Sequence, residues 1–329
     1  MHVIIPVAGY GTRLRPHTYS KPKPLVQVAG NTVLGHILEQ LKQTDVTEIT
    51  FIVGYLGEQV QSYVSQHYPE FTVNYVEQVN RKGQAHAIWL ARELVDEPVL
   101  IIFSDTISDA DLATLPQIVH DGVIYARQVE DPRRFGVVVT DGENLIQRFV
   151  EKPEHFVSDQ AVIGIYYLKD HAALFAAIER LMAEDIQTKG EYFLADALQL
   201  MIEAGKQLEA RTVDVWEDCG TPDALLQTNR YMLEAGGAAT PYENGEDVVI
   251  VPPVHIAPGV KISNAVVGPY VSLAEGCEVH NAILRDTIVD SEATIMDTML
   301  SESLIGHGAV VRGRYRQLNV GDSSVVDFG

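Results

Sequence analysis

A group of glycines and cations near the N-terminus is the first set of residues whose types and spacing could do chemistry. Gly9 and Gly11 can adopt positive φ and let backbone N–H groups approach an anion closely. The cations that follow within a dozen residues are Arg13, Arg15, Lys21 and Lys23. No acidic residue precedes Glu39, although the chain has a net charge of −21. This local excess of positive charge predicts a site for a polyphosphate.

Two carboxylates stand at positions where chemistry is plausible. Asp105 follows the apolar run 99–103, and Asp218 lies in the segment Trp-Glu-Asp-Cys-Gly-Thr-Pro at 216–222. The carboxyl end of a buried strand is where an open α/β sheet binds its ligands. Asp105 could instead cap a helix, and Asp218 could be only a turn former. Spacing alone does not bring the two carboxylates together.

Two further polar segments could recognise small molecules. Gln78 offers an amide donor and acceptor, which suits the imide edge of a pyrimidine, and Gly83 leaves room for a base. Glu151 and Lys152 precede a proline and could bind a ligand at the end of a strand. The alternatives are an exposed loop glutamine and an ordinary polar turn.

Taken together, these motifs resemble a known enzyme family. Gly-x-Gly-Thr-Arg-Leu-x-Pro at 9–16, followed by Lys-Pro-Lys-Pro-Leu at 21–25, resembles the signature of the sugar-1-phosphate nucleotidyltransferases. With the segments near 78–87, 105, 131–153 and 216–222, the resemblance extends from residue 1 to about residue 235. The chain looks most like the long-form glucose-1-phosphate thymidylyltransferases. The resemblance implies attack by a sugar 1-phosphate on the α-phosphorus of a nucleoside triphosphate, with release of pyrophosphate.

The resemblance also implies roles for individual residues. The nucleotide would contact Ala8, Gly9, Gly11, Thr12, Arg13, Lys23, Gln78 and Gly83. The sugar 1-phosphate would contact Gly136, Glu151, Lys152, Val162, Gly164 and Lys189. Mg²⁺ would be held by Asp105 and Asp218, as suits a cation that takes one or two carboxylates plus substrate phosphates. The residues expected to carry catalysis are Arg13, Lys23, Asp105, Lys152 and Asp218.

Substrate identity is only partly determined by these residues. Gln78 favours a pyrimidine, dTTP or UTP, and the two differ by a single methyl group. Glucose 1-phosphate is the first expectation for the sugar, while other sugars and nucleotides stay open. Thr106 stands where relatives often carry Asn, which puts that sugar contact in doubt.

The elements that must position these residues alternate between strand and helix through the first two thirds of the chain. Predicted strands at 3–7, 48–53, 71–76, 99–103 and 123–125 alternate with helices at 33–41, 58–67 and 84–94. The strand at 3–7 is a continuous β-branched run, as in a strand buried on both faces, and Asn31 and Thr32 can cap the helix at 33–41. Further strands are predicted at 135–140, 145–150, 162–168 and 209–216, and further helices at 172–183, 190–203 and 222–233. The alternation indicates an α/β fold, a doubly wound Rossmann-like domain over residues 1–236.

From about residue 248 the pattern changes to an apolar residue at every sixth position. The repeat runs through Val254, Val260 and Val266, then Val271, Cys277, Ile283, Val289 and Ile295, then Met299, Ile305 and Val311. Period six is typical of a parallel β-helix, here a small left-handed one of about four coils over 248–329. An irregular antiparallel sheet is the alternative, because the register slips twice. Residues 237–247 are predicted to form the linker.

Composition excludes several other classes of protein. The strong negative charge argues against nucleic-acid binding, and two cysteines are too few for a disulfide scaffold. Without a signal peptide or a long apolar run, we expect a cytoplasmic protein with no membrane partner. A nucleotide-sugar-sensing regulatory subunit and a bifunctional enzyme with an acyltransferase β-helix stay open as alternatives. We expect the β-helix to serve structure or the assembly of a homo-oligomer.

Overall fold

The computed structural model describes residues 1–236 and 247–313. Contacts between Cα atoms divide the chain into two compact units. The first unit comprises Met1–Val26 and Asn31–Leu225, and the second comprises Gln27–Gly30 with the residues from Leu226 onward. The predicted domain boundary at residue 236 stays a prediction. Two predicted segments lie outside the described residues: the linker except for Asp247, and residues 314–329 of the predicted coils.

Strands and helices of the N-terminal two thirds have the following bounds. The strands are β1 His2–Pro6, β2 Gln27–Val28, β3 Asn31–Thr32, β4 Glu48–Val53, β5 Val73–Glu77, β6 Val99–Ile102, β7 Thr106–Ser108, β8 Gly122–Gln128, β9 Gly136–Thr140, β10 Ile146–Glu151, β11 Gln160–Leu168, β12 Leu208–Thr212 and β13 Trp216–Asp218. The helices are α1 Val33–Leu41, α2 Gly57–His67, α3 Gln84–Trp89, α4 His171–Ala183, α5 Leu194–Glu203 and α6 Pro222–Gly236.

In the part of the chain that the structure describes, the first unit is built on one mixed sheet. The order β10-β9-β11-β6-β1-β4-β5 is extended by β8, which pairs with β11 and β12. Strands β6, β1, β4 and β5 run parallel, whereas β11 pairs with β6 and β8 in antiparallel fashion. The short segment between β9 and β10 allows only an antiparallel pair, because a parallel pair needs a crossover of about a dozen residues. A parallel sheet was therefore the correct prediction for β6, β1, β4 and β5 and for the pair of β8 with β12, but not for β9, β10 and β11.

Both faces of this sheet are covered by apolar side chains. On β1, Ile4 packs into one core with helices α3, α4 and α5, while Val3 and Ile5 pack into the other core with α1 and α2. All three side chains are fully buried. This arrangement explains the continuous β-branched run, because a strand covered on both faces shows no polar alternation. The expected Rossmann-like layering is present.

Several elements differ from their predicted bounds. Helix α3 ends at Trp89 and is followed by a short 3₁₀ turn, Arg92–Leu94. Helix α5 begins at Leu194, because Lys189 and Gly190 adopt positive φ and form a turn. The predicted strand 209–216 is two strands, β12 and β13. The predicted cap of α1 is confirmed, since the Thr32 hydroxyl accepts a hydrogen bond from Gly35 N at 2.8 Å. Among the described residues, no helix has the length and apolar content needed to cross a bilayer.

The second unit contains a stack of parallel β coils. Its strands are β14 Val248–Ile250, β15 Val254–Ile256, β16 Lys261–Val267, β17 Val271–Leu273, β18 Glu278–Val289, β19 Thr294–Ile305 and β20 Val310–Arg312. Lys261 pairs with Glu278, Glu278 with Thr294, and Thr294 with Val310, so each coil is 17 or 16 residues long. These pairs are parallel, and the antiparallel alternative is therefore wrong.

The inward-facing positions of the coils correct part of the predicted repeat. Val254, Val260, Val271, Cys277, Val289 and Ile295 are buried as predicted. Ile283 and Met299 are exposed, and Val266 is only half-buried. The reason lies at corners with left-handed backbone, Asn264, Tyr270, Asn281, Asp286, Asp297 and Glu302. Some sides between these corners are five residues long instead of six, so a strict period of six loses register there.

Candidate active site

A cleft of about 740 Å³ in the first unit collects most of the candidate residues. Of the predicted site residues, it is lined by Thr12, Arg13, Asp105, Gly136, Glu151, Lys152, Val162, Gly164 and Asp218. Phe103, Thr106, Arg134, Phe135, Tyr166, Glu191 and Trp216 are among its other walls. The cleft therefore brings together segments that are far apart in the sequence.

The glycine loop holds Lys23 close to the cleft. Gly11 has φ +61°, and a Cβ atom there would lie 3.0 Å from Cβ of Lys23. The Thr18 hydroxyl donates to the Gly11 carbonyl at 2.7 Å and fixes the same turn. Gly11 is thus required both by its backbone conformation and by the close approach of Lys23.

The two candidate metal carboxylates are brought together by a pair of strands. Strand β13 runs antiparallel to β7, which places Asp218 opposite Thr106, next to Asp105. Cys219 N donates to the Asp105 carbonyl at 2.9 Å, and Lys23 Nζ lies 2.5 Å from Asp105 Oδ2. A long-range strand pair thus joins what sequence spacing could not.

Electrostatics distinguishes the two acids. Burial alone would raise the pKa of Asp105, but the ammonium of Lys23 and the guanidinium of Arg13 outweigh it and hold this pKa below its usual value. Burial and the negative charge of Asp105 raise the pKa of Asp218. The repulsion between these acids shows that a cation placed between them would be stabilised.

This donor set fits Mg²⁺. The described residues contain no group of three or more His, Cys, Asp or Glu residues that could hold a metal. Two carboxylates without further protein ligands are what Mg²⁺ uses when substrate phosphates and water complete its coordination. Asp105 and Asp218 would hold the ion.

Gly220 is a site residue that the sequence analysis did not single out. A Cβ atom at this position would lie 2.6 Å from Asp218 Oδ1 and 2.9 Å from an Arg13 guanidinium nitrogen. A side chain at residue 220 would therefore displace these charged groups. The sequence signal for this glycine was its position in the segment Trp-Glu-Asp-Cys-Gly-Thr-Pro at 216–222.

A second charged group surrounds Glu151 and Lys152. A Cβ atom on Gly136 would lie 2.9 Å from Glu151 Oε2, so this glycine makes room for the carboxylate. Lys152 Nζ lies 3.4 Å from Glu151 Oε1. Lys152 has φ +44°, an uncommon backbone conformation for a long side chain, and its N–H donates to the Phe135 carbonyl at 3.1 Å. Such a conformation points to a position constrained by function.

Burial raises the pKa of Glu151, with Lys152 opposing the shift and Asp196 adding to it. Asp196 is half-buried, and burial raises its pKa as well. Lys189 is absent from the cleft wall, but its charge still acts on Glu151. Lys189 shares the left-handed backbone of Lys152, with φ +53°.

The proposed base-reading residues lie outside this cleft wall. The Gln78 side chain is buried, and its amide nitrogen lies 3.3 Å from the Gly83 carbonyl and 3.2 Å from His86 Nδ1. A Cβ atom on Gly83 would meet Tyr192 backbone atoms at 2.5 Å and 2.7 Å. Contact with Tyr192 therefore explains this glycine, and its role at a base stays a prediction.

Comparison with known proteins identifies the family. Residues 2–235 match the family described as nucleotidyl transferase. The chain belongs to this family. The resemblance seen in the motifs is thereby confirmed.

Individual members of the family resemble this chain to different extents. The bifunctional protein GlmU of Methanocaldococcus jannaschii is 34% identical over 259 residues, which is 79% of this chain and 61% of that protein. UTP--glucose-1-phosphate uridylyltransferase AglF of Haloferax volcanii is 29% identical over 73% of this chain and 100% of its own length. A solved Bacillus anthracis structure, assigned as a glucose-1-phosphate thymidylyltransferase and bound to sucrose, superposes with a TM-score of 0.61. It is 27% identical and covers 70% of this chain and 95% of its own.

The chain spans less than two thirds of the length of the first relatives it matches, 61% of GlmU and 64% of the low-salt glycan biosynthesis nucleotidyltransferase Agl11 of Haloferax volcanii. Agl11 is 34% identical over 69% of this chain. The name of Agl11 refers to nucleotidyl transfer, and the names of AglF and of the Bacillus anthracis protein refer to glucose 1-phosphate.

Within the cleft of this family member, Trp216 and Thr106 extend the sequence analysis. Trp216 packs edge-on against Phe135, with ring centroids 4.9 Å apart. Its indole N–H is buried and has no acceptor among the described residues, so a ligand oxygen could satisfy it. The Thr106 hydroxyl donates to the Ile163 carbonyl at 2.6 Å and is already occupied.

Proposed function

We propose that this chain is a Mg²⁺-dependent nucleotidyltransferase that makes a nucleoside-diphosphate sugar and pyrophosphate. The substrates would be a pyrimidine nucleoside triphosphate, dTTP or UTP, and a sugar 1-phosphate, with glucose 1-phosphate preferred. The observation that carries the proposal is one cleft lined by Asp105 and Asp218 together with Glu151 and Lys152. No second function is favoured by a comparable observation.

On the nucleotide side, cations and backbone donors would bind the triphosphate. Arg13 and the glycine loop would bind its oxygens, as anions are bound by guanidinium groups and by exposed N–H groups. Lys23 would neutralise charge near Asp105, with which it is paired. Mg²⁺ on Asp105 and Asp218 would supply charge neutralisation at the phosphate oxygens.

On the sugar side, Lys152 would aim the attacking phosphate oxygen at the α-phosphorus. Glu151 would accept hydrogen bonds from sugar hydroxyls, Gly136, Val162 and Gly164 would lie against the ring, and Lys189 would be a second phosphate contact. The aromatic walls would exclude water, which competes with the sugar phosphate as a nucleophile. No covalent intermediate is required, because alignment and charge neutralisation can account for such a transfer.

Pyrophosphate release tests this proposal. The assay pairs dTTP, UTP, GTP, ATP and CTP with several sugar 1-phosphates, with Mg²⁺ or with a chelator, and includes Asp105→Asn. We expect Mg²⁺-dependent release with dTTP or UTP and glucose 1-phosphate, and almost none with the variant. No release across the whole grid would reject the proposal and favour a sensing role.

The catalytic domain is proposed to cover 1–236, and the coils of 248–329 to wind left-handed, which a diffraction map of the protein would show directly.

A homo-oligomer is proposed to form through these coils. Val249, Val266, Ile283 and Met299 occupy one register column on the outer surface, and Asp297 and Arg285 lie on its opposite flanks. Two copies stacked face to face could bury the apolar column and pair these charges. Met299→Lys should then lower the mass measured by light scattering, and an unchanged mass would contradict this assembly.

A cytoplasmic location is also proposed. It is supported by the low cysteine content of the chain, two in 329 residues, because proteins of oxidising compartments are richer in disulfides. Fractionation of the source cells would test this.

A further inference from the structure

Two loops implicated in nucleotide binding are joined by a stacked pair of side chains. Tyr10 stands between Gly9 and Gly11 in the glycine loop, and Arg81 stands in the loop between Gln78 and Gly83. The Arg81 guanidinium carbon lies 3.4 Å from the centroid of the Tyr10 ring. This is the distance of a close cation–π stack.

Further contacts extend from this pair along the basic N-terminal segment. The Tyr10 and Tyr55 rings lie 5.5 Å apart with their planes at 55°. The Tyr55 hydroxyl donates to the Tyr19 carbonyl at 2.6 Å, and the Arg15 guanidinium carbon lies 4.9 Å above the Tyr19 ring. The glycine loop, the residues after β4 and the 79–83 loop are therefore tied together by side chains.

Burial in the core does not explain this set of aromatic residues. Tyr10 is 50% exposed and Tyr19 is 58% exposed, and neither belongs to a core cluster of the first unit. An exposed cation–π contact is weak, so a stack of this kind can open and close at little cost. A weak contact that spans two ligand loops is suited to adjusting their separation.

We propose that Tyr10 and Arg81 form a clasp that holds the glycine loop and the 79–83 loop at the spacing that a nucleoside triphosphate needs. The proposal rests on the proposed function and assigns both residues as positioning residues. Closing the clasp before binding reduces the conformational freedom lost when the nucleotide orders both loops. The sugar 1-phosphate would bind elsewhere in the cleft, so its binding should not depend on the clasp.

A double-mutant cycle tests the clasp. Tyr10→Leu, Arg81→Gln and the double variant are compared by the KM for nucleotide, the KM for sugar 1-phosphate and kcat. We expect each single change to raise the nucleotide KM about two- to fivefold, the range of one exposed cation–π contact. The double variant should be no worse than either single variant, because both changes remove one contact. Tyr10→Phe keeps the ring and should restore the nucleotide KM.

Arg92 provides a matched control, because its guanidinium carbon lies 3.7 Å from the centroid of the Trp89 ring and neither residue belongs to the two loops. Arg92→Gln should leave the nucleotide KM unchanged. Additive effects of the two clasp changes, or an equal rise in the KM for the sugar 1-phosphate, would overturn the proposal. An effect of Arg81→Gln without any effect of Tyr10→Leu would also overturn it, because Arg81 would then act directly on the nucleotide.

Failure of the clasp can be separated from failure of the proposed function. Turnover by the wild-type chain with unchanged constants in the variants would reject only the clasp. If the wild-type chain turns over no substrate pair, the same cycle is measured as the dissociation constant of dTTP and UTP. Coupled losses of affinity would support the clasp, and no binding of either nucleotide to the wild-type chain would reject it.

Discussion

The two units of this chain differ in the surroundings of their buried polar and charged side chains. In the first unit, Asp218 and Glu151 have pKa values raised first by burial, and they line one cleft. In the second unit, the buried polar side chains are satisfied by partners within that unit. Asn229 accepts from Ser272 at 2.6 Å, and Asp286 accepts from Arg230. Carboxyl groups with pKa values shifted in this way are typical of functional sites, which indicates that the chemistry takes place in the first unit.

The two units also differ in where residues with left-handed backbone occur. In the second unit such residues recur at the same corner of successive coils, and Asn264, Asn281 and Asp297 bond to one another there. In the first unit, Lys152 adopts this conformation at the cleft wall without any repeat. A recurring positive φ reflects the architecture, whereas an isolated one at a cleft reflects a functional constraint.

The largest expected effect comes from removing a cleft carboxylate. Asp218→Asn should lower kcat/KM about a thousand-fold, because charge neutralisation at the phosphates is worth several kcal/mol. Asp297→Asn, in the second unit, is the matched control and should retain activity. Steady-state kinetics of both variants measures this, and equal activity would remove the distinction between the units.

Lys152→Asn should lower kcat/KM for the sugar 1-phosphate about a hundred-fold through loss of one charge-assisted phosphate contact. Asparagine tolerates the left-handed backbone of this position, so the fold should be kept. Circular dichroism and kinetics would be compared with those of wild type. A loss confined to the nucleotide KM would contradict the assigned role.

Gly220→Ala should reduce kcat/KM about tenfold, a cost of about 1.4 kcal/mol, because its Cβ atom displaces Asp218 and Arg13. Gly142→Ala is the matched control, since no atom lies within 4 Å of the Cβ position there. Equal kcat/KM values for the two alanine variants would show that the close approach at Gly220 does not affect activity.

The smallest expected effect on activity belongs to Arg230→Gln. It leaves the buried Asp286 carboxylate without its ion pair and should lower the free energy of unfolding of the second unit by about 1 to 3 kcal/mol. Chemical denaturation measures this loss, while kcat/KM should stay at the wild-type value. A large loss of activity without a loss of stability would show that the second unit takes part in the chemistry.

The sequence predicted those parts of the molecule that depend on local patterns. The β-branched run of β1, the cap at Thr32 and the glycine loop follow from residues adjacent in the chain. The pairing of Asp105 with Asp218 depends on the contact of β7 with β13, which no local pattern encodes. The five-residue sides of the coils were missed because Asn, Asp and Glu corners carry no apolar signal. Gly136 and Gly220 became understandable only once their neighbours were known.

The most direct test of the central claim follows the phosphate groups of the nucleotide. The wild-type chain is incubated with Mg²⁺, glucose 1-phosphate and dTTP or UTP that is radiolabelled either at the α-phosphate or at the γ-phosphate. The account predicts that the α-label appears in the nucleoside-diphosphate sugar and the γ-label in pyrophosphate, with neither product formed by Asp105→Asn. Label from the γ-phosphate in a sugar product, or equal turnover by Asp105→Asn, would contradict it.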